Sequence, residues 1–199
     1  MGRRSEHSKQ QLQDMALAVA RGIIADEGLA GLSARKIASG IGYTVGTLYL
    51  VFDNLDDLII QVNARTLDDM HDFMLVKLKR CRRDDQCIYA LGKGYIQFAT
   101  EHHHLWSAIF EHQLPDGRQL PDWFVDKVVE NFALVEQALI PYTGSEAKKK
   151  MQVLSMALWG GVHGVCVLGF SGKINIAGSN SVQLLAETLI RNFLAGLRK

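Results

Sequence analysis

The segment TVGTLYLVF, residues 44 to 52, carries three hydroxyls close together, on Thr44, Thr47 and Tyr49. Neutral hydroxyl donors presented by one short helix suit contacts to phosphate oxygens. Gly46 costs such a helix about 1 kcal/mol against alanine. It becomes useful where backbone must come close to a sugar-phosphate edge or a base. Cations precede the segment: Arg3, Arg4 and Lys9 form a basic amino-terminal arm, and Arg35 with Lys36 opens the helix before it. Three core helices, in which Thr47 and Tyr49 merely cap or pack, would also account for these residues.

Other reactive side chains point less clearly to chemistry. His163 has apolar neighbours and no carboxylate at ligand spacing, which favours a hydrogen-bonded core or pocket histidine over a metal ligand. His102, His103 and His104 are consecutive and would splay around a helix start. Cys81, Cys87 and Cys166 are odd in number and form no C-x-x-C pair. That argues against a disulfide framework or a zinc site and for a reducing cytoplasm. Cys81 stands in the basic run KLKRCRR, where a lowered thiol pKa would allow a redox role. No enzyme motif appears: GFSG is not a nucleophile elbow, and GKG is not a phosphate loop. Neither a catalytic residue nor a metal or cofactor is expected.

The elements that must hold these residues read as helices. The 199 residues allow one substantial core or two modest domains, and 48% apolar with 22% charged is an ordinary globular balance. Net charge is +1, so any basic surface has to be local. Leu12, Met15, Val19 and Ile23 recur at helical spacing, and Gly28 suits the end of that first helix. Ser33 caps a second, short helix whose inward residues are Ile37, Ala38 and Ile41. Gly42 makes a turn, Thr44 caps a third helix, and Leu48 and Phe52 point back onto Ile37 and Ile41. Asn54 caps a fourth, with Asp56 and Asp57 at its positive end. Further helices are expected near 85–101, 104–113, 121–140, 145–171 and 180–197, with Pro141 stopping the third of these at residue 140.

Two short helices joined at a glycine turn and backed by a longer one form a helix-turn-helix unit, small enough to enter the major groove. Residues 12–58 then resemble the amino-terminal domain of the tetracycline-repressor (TetR) family of transcriptional regulators. The resemblance rests on AVARGIIADEGLAGLSARKIASGIGYTVGTLYLVFDNLDDL, which combines S-x-R-x-I-A with G-x-x-x-G-T-L-Y-x-x-F. It implies an all-helical homodimer that binds a palindromic operator and lets go when a small ligand enters the body. By position, Arg35, Thr44, Val45, Gly46, Thr47 and Tyr49 resemble the family's DNA-facing residues. Leu50 and Val51 depart from the polar or aromatic residues common there, and their side chains suit thymine methyls. Leu55 stands where the family usually has lysine.

The rest of the chain extends the resemblance. Trp159, His163 and Gly164 match the W-x-x-x-H-G signature of one class of TetR carboxy-terminal domains. Met70, Phe73, Met74, Tyr95, Phe98, Trp106, Phe110, Trp123, Trp159 and His163 are each at home in a packed core. As a set in such a body they suit a ligand pocket. Gly160 and Gly164 leave a flat strip on one helix, and Leu185, Leu189 and Phe193 recur on the closing helix. Together they suggest a dimer face. The uncharged run 151–172 is long enough to span a bilayer. Gln152, Ser155, His163 and five glycines favour burial between protein surfaces instead.

The expected organisation is therefore all-α, with a helix-turn-helix DNA-binding head over 1–54 and a ligand-binding and dimerisation body over 55–199. The expected partners are a double-stranded DNA operator, a largely apolar small effector and a second copy, in the cytoplasm and without a membrane. A helical small-molecule sensor that has lost specific DNA binding is the alternative.

Overall fold

The computed structural model describes residues 7–81, 84–115, 117–143, 148–172 and 181–197. Among them the chain is helical, with α1 at Lys9–Glu27, α2 at Ala34–Gly40, α3 at Val45–Leu48, α4 at Leu55–Lys79 and α5 at Asp84–Glu101. There follow α6 at His103–Glu111, α7 at Asp122–Thr143, α8 at Lys148–Phe170 and α9 at Val182–Leu197. Caps set the early boundaries. Ser8 and Gln11 form a reciprocal capping box at the start of α1, and Gly28 ends that helix at φ 74°. At α4 the Asp57 N–H donates to Asn54 Oδ1 at 2.9 Å, and the Asp53 N–H donates to Asp57 Oδ2 at 3.1 Å.

Pro141 does not stop its helix, because α7 continues through it to Thr143. Proline removes one N–H donor, but it falls in the last turn. There the Thr143 hydroxyl donates to the Leu139 carbonyl at 3.2 Å.

The chain divides into two compact units. The first takes residues 1–67 and 102–124, the second 68–101 and 125–199. In the first, α6 supplies Leu105 and Ala108 to a core built from Ala16, Leu17, Ala20 and Ile24 of α1, Ile37 and Ile41, Leu48 and Phe52, and Leu58 and Val62 of α4. Burying each large aliphatic side chain contributes about 1.5–3 kcal/mol, so the short helices α2 and α3 are held by this core rather than by their own propensity.

In the second unit, α9 lies on small residues of α5 and α8. A Cβ on Gly92 would stand 2.5 Å from Ile190 Cδ1, and one on Gly161 would stand 2.8 Å from Leu189 Cδ1. Ile190 and Leu194 are buried there. Lys93 of α5 pairs with Glu187 of α9 at 2.9 Å, and Lys127 of α7 pairs with Asp68 at 2.6 Å.

Candidate nucleic-acid interface and ligand-binding body

Local chemistry shapes the α2–α3 corner. Ser33 caps α2 by accepting from the Lys36 N–H, and Gly42 takes φ 75°, which favours glycine. Thr44 Oγ1 accepts from the Thr47 N–H at 3.3 Å, and the two threonine hydroxyls bond to each other at 3.0 Å. Ile37 and Leu48, both essentially inaccessible, pin the inner faces of the two helices.

What remains points outward. Tyr49 is 45% exposed and Leu50 67%. Thr44, Gly46 and Arg35 are exposed, Val45 and Thr47 partly so. A Cβ on Gly46 would meet only Thr44 Oγ1, at 3.7 Å. Val51 differs from expectation, because it turns back and packs on the core, as does Leu55. Lys36 is drawn into an ion pair with Glu27 at 2.5 Å, which leaves Arg35 as the open cation of α2. Arg3 and Arg4 lie outside the described residues.

Two contacts of this region had no counterpart in the sequence reading. His7 Nδ1 and Tyr43 Oη lie 2.7 Å apart, tying the segment before α1 to the turn before α3. His112 Nε2 meets Asp56 Oδ1 at 3.0 Å, joining the end of α6 to the first turn of α4. Nothing local in the sequence signals a partner for Tyr43 36 positions away.

The expected pocket residues divide between the units. Trp106, Phe110 and Trp123 belong to the first, where Trp106 is buried between His103 and Phe110. Met70, Phe73, Met74, Tyr95, Phe98, Trp159 and His163 belong to the second. There Phe73 packs edge-on against Phe98 with centroids 5.8 Å apart. Trp159 stands between Phe132 at 5.4 Å and His163 at 4.9 Å. Tyr95 Oη and His163 Nδ1 form a 2.9 Å hydrogen bond. Burial holds the imidazole below its ordinary pKa. Among the described residues no cluster of three or more His, Cys, Asp or Glu could hold a metal ion.

A groove of about 700 Å³ opens elsewhere in the second unit, lined by Lys77, Arg80, Cys81, Gln86, Lys93 and Gly94 among others. None of the expected pocket residues borders it. Cys81 and Cys87 are joined in a disulfide, which overturns the reading of unpaired cysteines. Six positions apart on one helix they would not meet. α4 ends and α5 begins between them, and the reversal brings their Cα atoms to 5.5 Å. Cys166 stays a free, buried thiol, its pKa pushed up to about 12 by desolvation.

α8 leaves an apolar stripe uncovered. Val153, Met156, Ala157, Gly160, Val167 and Leu168 are exposed at helical spacing, and a Cβ on Gly160 or Gly164 would touch nothing within 4 Å. By length and composition α8 could cross a membrane, yet only 22% of its most apolar window is buried within the chain. Of the expected dimer residues on α9, Leu189 lies against Gly161 of its own chain, while Leu185 and Phe193 are half-buried.

Comparison with known proteins agrees with this architecture. A solved protein of unknown function from a Rhodococcus species shares the fold at TM-score 0.77, with 16% identity over the whole of both chains. A TetR-family transcriptional regulator from Bordetella parapertussis aligns at TM-score 0.59 and 16% identity, over 93% of this chain and 95% of that one. The regulator FadR from Bacillus subtilis, solved in complex with stearoyl-CoA, aligns at 0.65 and 15%, over 95% and 99%. Sequence comparison with curated proteins finds no significant relative. Residues 16–62 match the tetR family of bacterial regulatory proteins, and residues 88–193, more than half the chain, match the tetracyclin repressor-like carboxy-terminal domain. The chain belongs to the TetR family of DNA-binding transcriptional regulators.

Proposed function

We propose that this regulator is a cytoplasmic repressor that binds a palindromic operator as a homodimer and is released by a largely apolar small molecule. The observation that carries the reading is the outward presentation of Arg35, Gly46, Tyr49 and Leu50 on a helix-turn-helix whose core is complete without them. Side chains with no packing duty are free to meet bases and phosphates. The apolar stripe of α8 supports the homodimer, since two such stripes related by a two-fold axis would cover each other. Two heads linked that way match two half-sites one turn of DNA apart. The aromatic and methionine side chains of the second unit support an apolar effector, as does a fold relative solved with stearoyl-CoA.

Selection of bound duplexes from a random pool tests the DNA reading. A palindrome should be enriched, and its affinity should fall about 10³–10⁵-fold between 50 and 200 mM salt if six to ten phosphates are contacted. Native mass spectrometry of the purified protein reads dimer mass and any retained molecule together. A dimer that retains a small molecule but enriches no duplex would favour the sensor without DNA binding.

A further inference from the structure

We propose that Cys81 and Cys87 are a reversible oxidation site for hydroperoxides, whose disulfide ties the end of α4 to the start of α5 and weakens DNA binding. The proposal rests on the DNA-binding reading for its last clause and for the reducing surroundings of the site. Three observations carry it. The two cysteines already stand at bridging distance across the α4–α5 reversal, with both residues partly exposed. Cys81 borders the open groove, whose lining also carries Arg80 and Lys77, so a small oxidant has access to its sulfur. The loop closed is short, so the bond restrains the unfolded chain less than a bridge between distant segments would. A DNA-binding regulator also works beside the chromosome, where glutathione and dithiol reductants hold thiols reduced. Disulfides found there are chiefly transient and sensory.

The chemistry balances without a cofactor. The Cys81 thiolate attacks one peroxide oxygen and the O–O bond breaks, leaving an alcohol or water and a sulfenic acid on Cys81. The Cys87 thiolate then attacks Cys81 Sγ, the S–O bond breaks, and hydroxide departs as water after taking a proton. Two electrons pass from the thiol pair to the hydroperoxide, and a thiol reductant returns them by exchange. Cys166 is an internal control, being buried and protonated. The consequence for DNA follows from α4, whose amino end places Leu58 and Val62 in the core beneath α3 while its carboxy end meets Cys81. Both cysteines lie in the second unit, so α4 is the element through which oxidation would reach the reading head.

The test uses the full chain, reduced with dithiothreitol and then given one equivalent of hydrogen peroxide or cumene hydroperoxide. Mass spectrometry should find the Cys81 and Cys87 peptides linked and two hydrogens lighter, with Cys166 alkylated only after denaturation. Millimolar glutathione should reverse the link under native conditions. A bond that resists glutathione, or oxidation that spares the pair, overturns the site. The Cys87→Ser chain should stop at a sulfenic acid that dimedone traps. The oxidised protein should bind a duplex selected from a random pool at least fivefold more weakly than the reduced one. The Cys81→Ser/Cys87→Ser double variant should hold the reduced affinity whatever the peroxide. Complete cycling with equal affinities overturns the regulatory role. If neither redox state enriches any duplex, the DNA-binding reading fails, while the thiol result still decides whether the site exists.

Discussion

Leu189 of α9 lies across Gly161 of α8 in its own chain, so closely that a Cβ on that glycine would stand 2.8 Å from Leu189 Cδ1. Gly160 and Gly164, one position before and three after, have nothing over them. The glycines of α8 therefore serve two faces. Gly161→Val should destabilise the protomer by about 1–3 kcal/mol through overpacking, seen as a lower midpoint in urea. Gly164→Val should leave the folding of a dilute protomer unchanged. Equal losses at both positions would erase the distinction between an inner and an outer face.

The outer face gives the dimer test. Val153→Glu combined with Met156→Glu places two charges on the open stripe of α8, where the single chain leaves both residues more than half exposed. Native mass spectrometry should then record a folded monomer, with binding to a full palindrome reduced toward that of one half-site. Leu189→Glu is a poorer probe, because it sets a charge against α8 within the protomer. A double variant that remains dimeric would place the subunit contact on another surface.

Thr44 and Tyr49 separate structure from recognition. Thr44→Ala removes the cap of α3 and should cost about 1 kcal/mol of stability, while Thr44→Ser keeps the hydroxyl and most of that stability. Tyr49→Ala touches a side chain that is nearly half exposed, so the thermal midpoint should hardly move. Operator affinity should fall about two- to tenfold for one lost hydrogen bond. Unchanged binding at moderate salt would remove Tyr49 from the interface.

His163 gives a pH test. Burial lowers its pKa in the folded chain, so the unfolded chain binds the extra proton more readily. Its contribution is complete above the ordinary histidine value of about 6.5 and is lost as pH falls below that value toward the folded pKa. His163→Gln can still bond Tyr95 Oη but cannot titrate. The drop in thermal midpoint between pH 7.5 and 5.5 should be smaller in the variant than in the parent. Parallel curves would mean that the imidazole titrates alike in both states.

The parts legible in sequence were those written locally. Ser33, Thr44 and Asn54 announce their caps by residue type and by the position of the next apolar residue, and Gly28 and Gly42 need only their own backbone. Contacts between distant segments were not legible. Leu105 and Ala108 have an ordinary amphipathic pattern that does not say which helix they will meet, so their place in the core of the first unit is not written locally. Cys81 and Cys87 looked unpaired because their meeting depends on where α4 stops. Leu189 fitted an apolar stripe, but only the glycine opposite decides that its partner lies within the same chain.

Leu55 is the departure with the clearest consequence. It begins α4 directly after the Asn54 cap and packs its side chain, partly buried, on the core beneath α3. A lysine there can lay its methylene stem over the same apolar surface and carry its ammonium outward, so Leu55→Lys should cost under about 1 kcal/mol of stability. If the first turn of α4 passes the DNA backbone, the new cation adds one phosphate contact and steepens the log–log salt slope by about 0.9. Specific and unrelated duplexes should both be bound more tightly at low salt, with little change in preference between them, because a phosphate contact carries no sequence information. The gain should shrink as salt rises. Asp56 and Asp57 follow immediately and repel phosphate. A folded variant that binds no better at 50 mM salt would mean that these carboxylates, and not residue 55, set the field at the start of α4, and that this helix end stands away from the DNA.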